Sequence, residues 1–296
     1  MTVRAGARTA GAAVTTSQRI AVLLTCHNRV ERTLACLASL TTQVDADGAH
    51  LDIVLVDAGS TDGTREAVEA RFPEVSVICR GPELFWNGGM RVAFAHAYST
   101  DPDLYLWLND DVVLDDDVVS TLLATHHHLL ERRPVACIVA GSTRDPDSGE
   151  TTYGGVVRPS RTRPLHYQVV EPGGEPRRVE TMNGNCVLVP REVAAAIGTL
   201  AEVYTHGMGD FDYGHRAQRA GCEVWIAPRT IGTCSRNPPP GPEISLEEHR
   251  RRVTSPTGGL PPREWATFAR RWAGPLWPLY AISPYIRRFV RWIAAR

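Results

Sequence analysis

Asp103-Leu-Tyr-Leu-Trp-Leu-Asn-Asp-Asp-Val-Val-Leu-Asp-Asp-Asp117 joins a short apolar run to two acidic groups. Leu104 to Leu108 has the pattern of a strand buried on both faces. It ends abruptly in Asn109-Asp110-Asp111. Adjacent carboxylates at the end of a buried strand repel each other and cost desolvation, so a positive group is expected beside them. A divalent cation suits that place, because hard cations take oxygen ligands. The alternative is that the pair only caps a turn. Asp115-Asp116-Asp117 precedes Val118, Val119, Leu122 and Leu123 at helical spacing, and suits a helix N-terminus.

Outward from this stretch, strand and helix alternate. Strands are expected at Ile20–Thr25, Leu51–Asp57 and Val75–Cys79. Helices are expected at Val30–Leu40, Arg65–Phe72 and Met90–Tyr98. The pattern predicts a doubly wound, mostly parallel sheet. Ligands of such sheets bind beyond the carboxyl ends of the strands. Thr25-Cys-His-Asn28, Asp57, the loop Phe85-Trp-Asn-Gly-Gly89 and Asn109-Asp-Asp111 all stand at such ends. The dinucleotide fingerprint GxGxxG is absent after the first strand. Further strands are expected at Pro134–Ala140, Gly155–Val157, His166–Val170, the end of Thr181–Val189, and Glu223–Ala227. Pro190 suits the first position of a helix. Tyr204–Tyr213 leads into a helix over Gly214–Ala220. Pro238-Pro-Pro-Gly-Pro242 breaks the fold.

The chain of 296 residues is 43% hydrophobic and 22% charged, which permits a sizeable core. Its net charge of -1 gives no global basic field for nucleic acid. All 32 basic residues are Arg, which excludes Schiff-base chemistry, a lysine base and a P-loop. Seven Cys lack CxxC or paired spacing and point to a reducing cytosol. Residues 1–18 suit a disordered tail and lack the apolar core of a signal peptide. No apolar run is long enough to span a membrane.

The sequence resembles the family 2 glycosyltransferases over Arg19 to about Asn237. Thr25-Cys-His-Asn-Arg29 matches the T-x-N-R turn. Val56-Asp-Ala-Gly-Ser-Thr-Asp-Gly-Thr64 matches V-D-x-G-S-x-D-G-T, the most specific of the motifs. Leu108-Asn-Asp-Asp111 stands for the D-x-D element. Asn183-Gly-Asn185 and Gly209-Asp210-Phe-Asp212 with Arg216 match acceptor-side elements. The resemblance implies an α/β fold of the A type (GT-A): a doubly wound, mostly parallel sheet, a smaller acceptor-side sheet and a C-terminal helical extension. The catalytic domain is expected over 19–240, with a nucleotide-sugar half at 19–133 and an acceptor half at 134–240. The extension occupies 241–296. Three positions depart from the family pattern. Asn109 replaces the first acid of D-x-D, Ala58 a frequent second acid, and Gly209 the usual Glu. The Q-x-x-R-W motif of processive members is absent, and Cys234-Ser-Arg-Asn-Pro238 stands near its place. Single-sugar transfer is therefore expected. Asn109-Asp-Asp111 and Trp86–Arg91 look like bacterial members that build cell-surface polysaccharides, such as rhamnosyltransferases.

The resemblance implies transfer from a UDP- or dTDP-linked nucleoside-diphospho-sugar to the hydroxyl of a glycan or lipid-linked acceptor, with inversion. Asp210 would be the general base, or else a helix cap. Mn2+ or Mg2+ would sit on Asp111, with His206 as a second ligand or a structural histidine. Donor contacts are expected from Thr25, His27, Asn28, Arg29, Asp57, Asn87, Gly88, Arg91, Asn109 and Asp110. Asp57 also suits a turn former, Asn87 and Gly88 a simple helix start, and Arg91 a surface residue. Asn183, Gly184, Asn185 and Asp212 would face the acceptor. His126-His127-His128 face different directions on a helix and do not suit a metal site. Aromatics interleave with Arg over 263–292, while Pro275, Pro278 and Pro284 divide the segment into short helical pieces. That mix suits the inner face of a membrane, packing on the domain, or a homodimer contact. A sugar nucleotidyltransferase is disfavoured by the first turn and the lack of Lys. A non-catalytic nucleotide-sugar-binding relative or assembly subunit is the remaining alternative.

Overall fold

A computed structural model describes residues 18–43, 48–236 and 245–294. Apart from Gln18, the expected tail at 1–18 lies outside the described residues, as do the Pro238–Pro242 break and the boundary at 241. The first half alternates as predicted: β1 (Arg19–Cys26), α1 (Val30–Thr41), β2 (His50–Ala58), α2 (Thr64–Arg71), β3 (Ser76–Arg80), α3 (Phe85–Tyr98) and β4 (Leu104–Leu108). After it come β5 (Val113–Leu114), α4 (Val118–Arg132), β6 (Cys137–Arg144), β7 (Thr151–Tyr153) and β8 (Gly155–Val157). Next are β9 (Gln168–Val169), β10 (Arg177–Val179), β11 (Thr181–Met182), β12 (Cys186–Pro190) and α5 (Arg191–Ile197). The chain continues through α6 (Gly209–Arg219), β13 (Glu223–Thr233), α7 (Leu246–Thr254), α8 (Pro262–Trp272) and α9 (Trp277–Ala294).

The main sheet runs β10-β13-β6-β12-β4-β1-β2-β3, with β5 on β13 and β7 on β6. The β4-β1-β2-β3 block is parallel. β12 lies antiparallel between β4 and β6, and β13 runs parallel to β6. The ends of β1, β2, β4, β6 and β13 therefore share one rim with the start of β12. β11-β8-β9 forms the smaller antiparallel sheet.

β4 carries its alternation into two cores. Leu104, Leu106 and Leu108 face the layer of α1 and α4. Tyr105 and Trp107 face that of α3 and α6. Both faces are buried, as the unbroken apolar run requires. A third cluster seats Trp265, Phe268 and Trp272 of α8 on Tyr204. Each such side chain contributes about 2 kcal/mol by burial.

Three boundaries differ from the sequence expectation. Asn87-Gly88-Gly89 is not a loop but part of α3, which begins at Phe85. A Cβ on Gly89 would lie 2.1 Å from Thr25 Oγ1, so glycine lets the helix approach β1. The helix expected from Gly214 begins at Gly209 and takes in Asp210 and Asp212. Pro284 does not divide the tail, because α9 runs through it for 18 residues. The Tyr280 carbonyl that loses its helical partner there accepts the Trp265 indole N–H at 3.1 Å.

Candidate active site

The first two loops of the rim clasp each other. The Asn28 N–H donates to Ser60 Oγ at 2.9 Å, and its Oδ1 accepts the Thr61 N–H at 2.7 Å. The Val30 N–H donates to Asp62 at 3.0 Å. His27 Nδ1 donates to the Ala58 carbonyl at 2.8 Å, leaving Nε2 to accept from Asn28. Thr25 is buried and donates to the Val56 carbonyl at 3.1 Å. Asp57 is buried and accepts the Ser60 N–H at 2.9 Å, the geometry of a turn former.

The positive group expected beside Asp110 and Asp111 is an arginine of the chain itself. Arg29 Nη1 donates to Asp110 at 3.2 Å and to Asp111 at 3.1 Å. Asp110 is buried, and desolvation pushes its carboxyl up to about 7 against the pull of Arg29. Asp111 is less enclosed, and the Cys234 thiol points at its other oxygen from 3.6 Å. Burial, and then Asp111, push that thiol up to about 12. His206 is half-buried, and its Nδ1 has no hydrogen-bond partner. Burial and the charge of Arg29 hold its imidazole below the usual range, hence neutral and able to act as a ligand.

Among the described residues no three His, Cys, Asp or Glu side chains converge to hold a metal ion. The candidate donors are the Asp111 carboxylate and the His206 nitrogen that has no hydrogen-bond partner, too few for a cage and in keeping only with a cation completed by substrate phosphates. Mg2+ sites of this kind use one or two carboxylates together with phosphate. A cation caged by protein alone does not fit.

Trp86 bridges the two sides of the rim, a role that its place in an expected loop did not betray. Its indole N–H donates to Asn109 Oδ1 at 2.7 Å. Its ring fills the space above Gly184, where a Cβ would lie 2.6 Å away. The Gly184 N–H then donates to Asp210 Oδ2 at 3.0 Å, while the Phe211 N–H donates to Oδ1 at 2.8 Å. Asp210 lies in the first turn of α6, where the helix dipole favours negative charge. Burial nevertheless raises its carboxyl to about 6, against those two N–H groups. Beside it, Asn183 and Phe211 line a cleft of about 350 Å3 with Tyr167 and Arg236. Asn185 is buried, and its carbonyl accepts the Asn109 N–H at 2.9 Å.

Several expected contacts are instead bound up within the protein. Asn87 is fully buried, and its amide donates to the Ala201 and Tyr204 carbonyls at 3.0 and 2.7 Å. Its Oδ1 lies where a Cβ on Gly209 would be, at 2.0 Å, which accounts for glycine at that position. A side chain on Gly88 would press on Leu84 at 3.2 Å. Arg91 pairs with Glu202. Asp212 is not an acceptor-facing group. It is fully buried and ties Arg216 to Arg271 and Trp272 of α8 at 2.9, 2.9 and 3.0 Å. The residue at the N-cap is Met208, with φ of 68°. Glu264 of α8 is a buried anchor that the sequence did not disclose. It accepts the Thr205 N–H and hydroxyl at 3.0 and 2.6 Å, next to His206. Asn28 and Phe85 join Met208 at positive φ, of 51° and 49°. Three of the four non-glycine residues at positive φ among the described residues thus lie along this rim, the fourth being Asp101 ahead of β4.

Comparison with known proteins bears on this rim. Residues 21–148 match the family model for glycosyl transferase family 2. The N-acetylglucosaminyl-diphospho-decaprenol L-rhamnosyltransferase of Mycobacterium tuberculosis, in strains CDC 1551 / Oshkosh and ATCC 25618 / H37Rv, is 27% identical over 229 residues. That match covers 70% of this chain and 71% of the relative. In fold, the chain is similar to the mannosyltransferase PcManGT from Pyrobaculum calidifontis, solved with GDP-Man and Mn2+. The TM-score is 0.52 at 17% identity, over 92% of this chain and 70% of that one.

Proposed function

We propose that the chain, whose residues 21–148 match the model of glycosyl transferase family 2, moves one sugar from a UDP- or dTDP-linked nucleoside-diphospho-sugar to an acceptor hydroxyl, with inversion at the anomeric carbon. A glycan or lipid-linked acceptor suits the reading, since the rhamnosyltransferase relative is named for a decaprenol-linked one. Cell-surface polysaccharide synthesis at the cytoplasmic side is the setting that follows. One observation carries the mechanism. Asp210 has both oxygens aligned by N–H donors, a carboxyl raised to about 6, and a place across Trp86 from Asn109 and the carboxylate pair.

Asp210 takes the proton of the acceptor hydroxyl as its oxygen attacks. The Gly184 and Phe211 N–H groups fix the carboxylate, leaving each oxygen a free lone pair for that proton. Trp86 and Gly184 hold the acceptor side in register with the donor side. Asp111 and His206 would hold Mn2+ or Mg2+. A cation held there would supply positive charge against the diphosphate leaving group. Arg29 holds Asp110 and Asp111 in place.

Thermal unfolding with UDP-, dTDP- and GDP-sugars, each with Mn2+, Mg2+ or EDTA, tests the donor and the metal. Binding to the folded state raises the midpoint, by ~2.7 kcal/mol of stability at a hundredfold excess over Kd. The expected result is stabilisation by one nucleotide family, lost in EDTA and in Asp111→Ala. Asp210→Asn should keep that shift and lose about 10²–10⁴-fold in kcat. Full turnover by Asp210→Asn would exclude it as the base.

A further inference from the structure

The C-terminal helices divide the two roles that an aromatic and basic tail suggests. The aromatics of α8 are inside, packed on Tyr204. No residue of α9 is buried. Its Leu279, Ile282, Ile286, Val290 and Ile293 are 63, 58, 57, 57 and 53% exposed. They recur at spacings of three and four, so they form one stripe along the helix. An isolated apolar stripe of this length gains nothing from water.

The flank of the same helix is basic. Arg287, Arg288 and Arg291 join Arg163 along a cleft of about 610 Å3 between α9 and the loop before β9. None of the four has a carboxylate within ion-pair distance among the described residues, and the sequence holds no acid after Glu264. The helix is fixed in position. The Tyr280 hydroxyl donates to the Thr162 carbonyl at 2.8 Å, and the Tyr285 hydroxyl to Leu260 at 2.7 Å. No described helix is long and apolar enough to cross a membrane.

We propose that α9 lies in the surface of an anionic phospholipid bilayer, its stripe of Leu279 to Ile293 among the acyl chains and its arginine flank on the headgroup phosphates. Charge complementarity selects this occupant. A second copy would bring the same unpaired arginines face to face, whereas a phosphate layer supplies the missing anions. Apolar insertion together with electrostatic attraction is how interfacial helices bind, and guanidinium is suited to phosphate. This surface stands apart from the transferase reading, since lipid binding needs neither donor nor acceptor.

The test is co-sedimentation of the full chain with phosphatidylcholine vesicles, with and without phosphatidylglycerol. Binding is expected only when the anionic lipid is present, and should weaken as salt is raised. Ile286→Asp should weaken it by about tenfold or more, because a charge then sits among the inserted groups. Arg287→Gln with Arg291→Gln should remove most of the preference for phosphatidylglycerol. These side chains are exposed, so the unfolding midpoint without lipid should not change, which separates lost binding from lost folding. Absence of binding to anionic vesicles would overturn the proposal. So would binding indifferent to Ile286→Asp, or a dimer in sedimentation that Ile286→Asp dissociates.

Discussion

Burial raises the Asp210 carboxyl to about 6, and the direction of that shift fixes a pH profile. A general base must be unprotonated, so kcat/KM should fall about tenfold per pH unit below pH ~6 and level off above it. The same shift acts on stability with the opposite sense. The folded protein holds this proton more tightly than the unfolded chain does. The stabilising contribution is therefore full below the ordinary carboxylate value of 3.8 and is lost as pH rises through about 6. Asp210→Asn should accordingly show a smaller loss of midpoint between pH 5 and 7 than the parent. A pH–rate profile flat through 6, or an unchanged stability slope in the variant, would remove Asp210 from this role. Motif order named Asp210, Asp111 and His206 as candidates, through the resemblance to the family pattern. It did not disclose that Arg29 is the cation answering Asp110 and Asp111, since that pairing spans 81 and 82 residues. The roles of Trp86 and Glu264 were hidden for the same reason: their partners lie 23 and 59 residues away.

Elements with an unbroken apolar run were legible, and those whose ends depend on a neighbour were not. β1 to β4 and the helices between them follow from local pattern. The start of α3 does not, because Asn-Gly-Gly is turn chemistry unless the chain knows that Thr25 and Leu84 press on those glycines. α6 likewise opens on Gly209, where Asn87 leaves no room for a side chain. Strands of two or three residues, such as β9 and β11, give too little sequence for a period to appear. These close approaches make specific predictions. Gly184→Ala drives a Cβ to 2.6 Å from the Trp86 ring. It should cost about 1–3 kcal/mol by overpacking, and reduce kcat by displacing the Trp86 bridge. Asp212→Ala leaves Arg216 and Arg271 without their shared buried carboxylate. A loss of about 3–5 kcal/mol in chemical denaturation is expected. If either variant is as stable as the parent, the corresponding contact does not hold the element.

At the scale of the molecule, the halves expected at 19–133 and 134–240 share one sheet. β12 belongs to the second half in sequence, yet it pairs with β4 from Cys186 opposite Leu108 to Pro190 opposite Leu104. Its other edge pairs with β6. β4 is thus a central strand only because a segment about 80 residues later in the chain covers its edge. Chains of long-range pairing form and break together, since neither edge is satisfied alone. The full chain should therefore unfold the whole sheet in one transition, with a calorimetric to van't Hoff enthalpy ratio of about one. A fragment of residues 18–133 retains β1 to β4 and the carboxylate pair, but exposes an apolar β4 on its open edge. It should aggregate or remain unfolded by circular dichroism. A soluble, folded fragment, or two resolved transitions within the sheet, would show that the two sides are independent units. A single transition carries a mechanistic consequence. The distance from Asp210 to the carboxylate pair is then set by strand register and by Trp86 packing, which would let the proposed base meet an acceptor without a closure between domains.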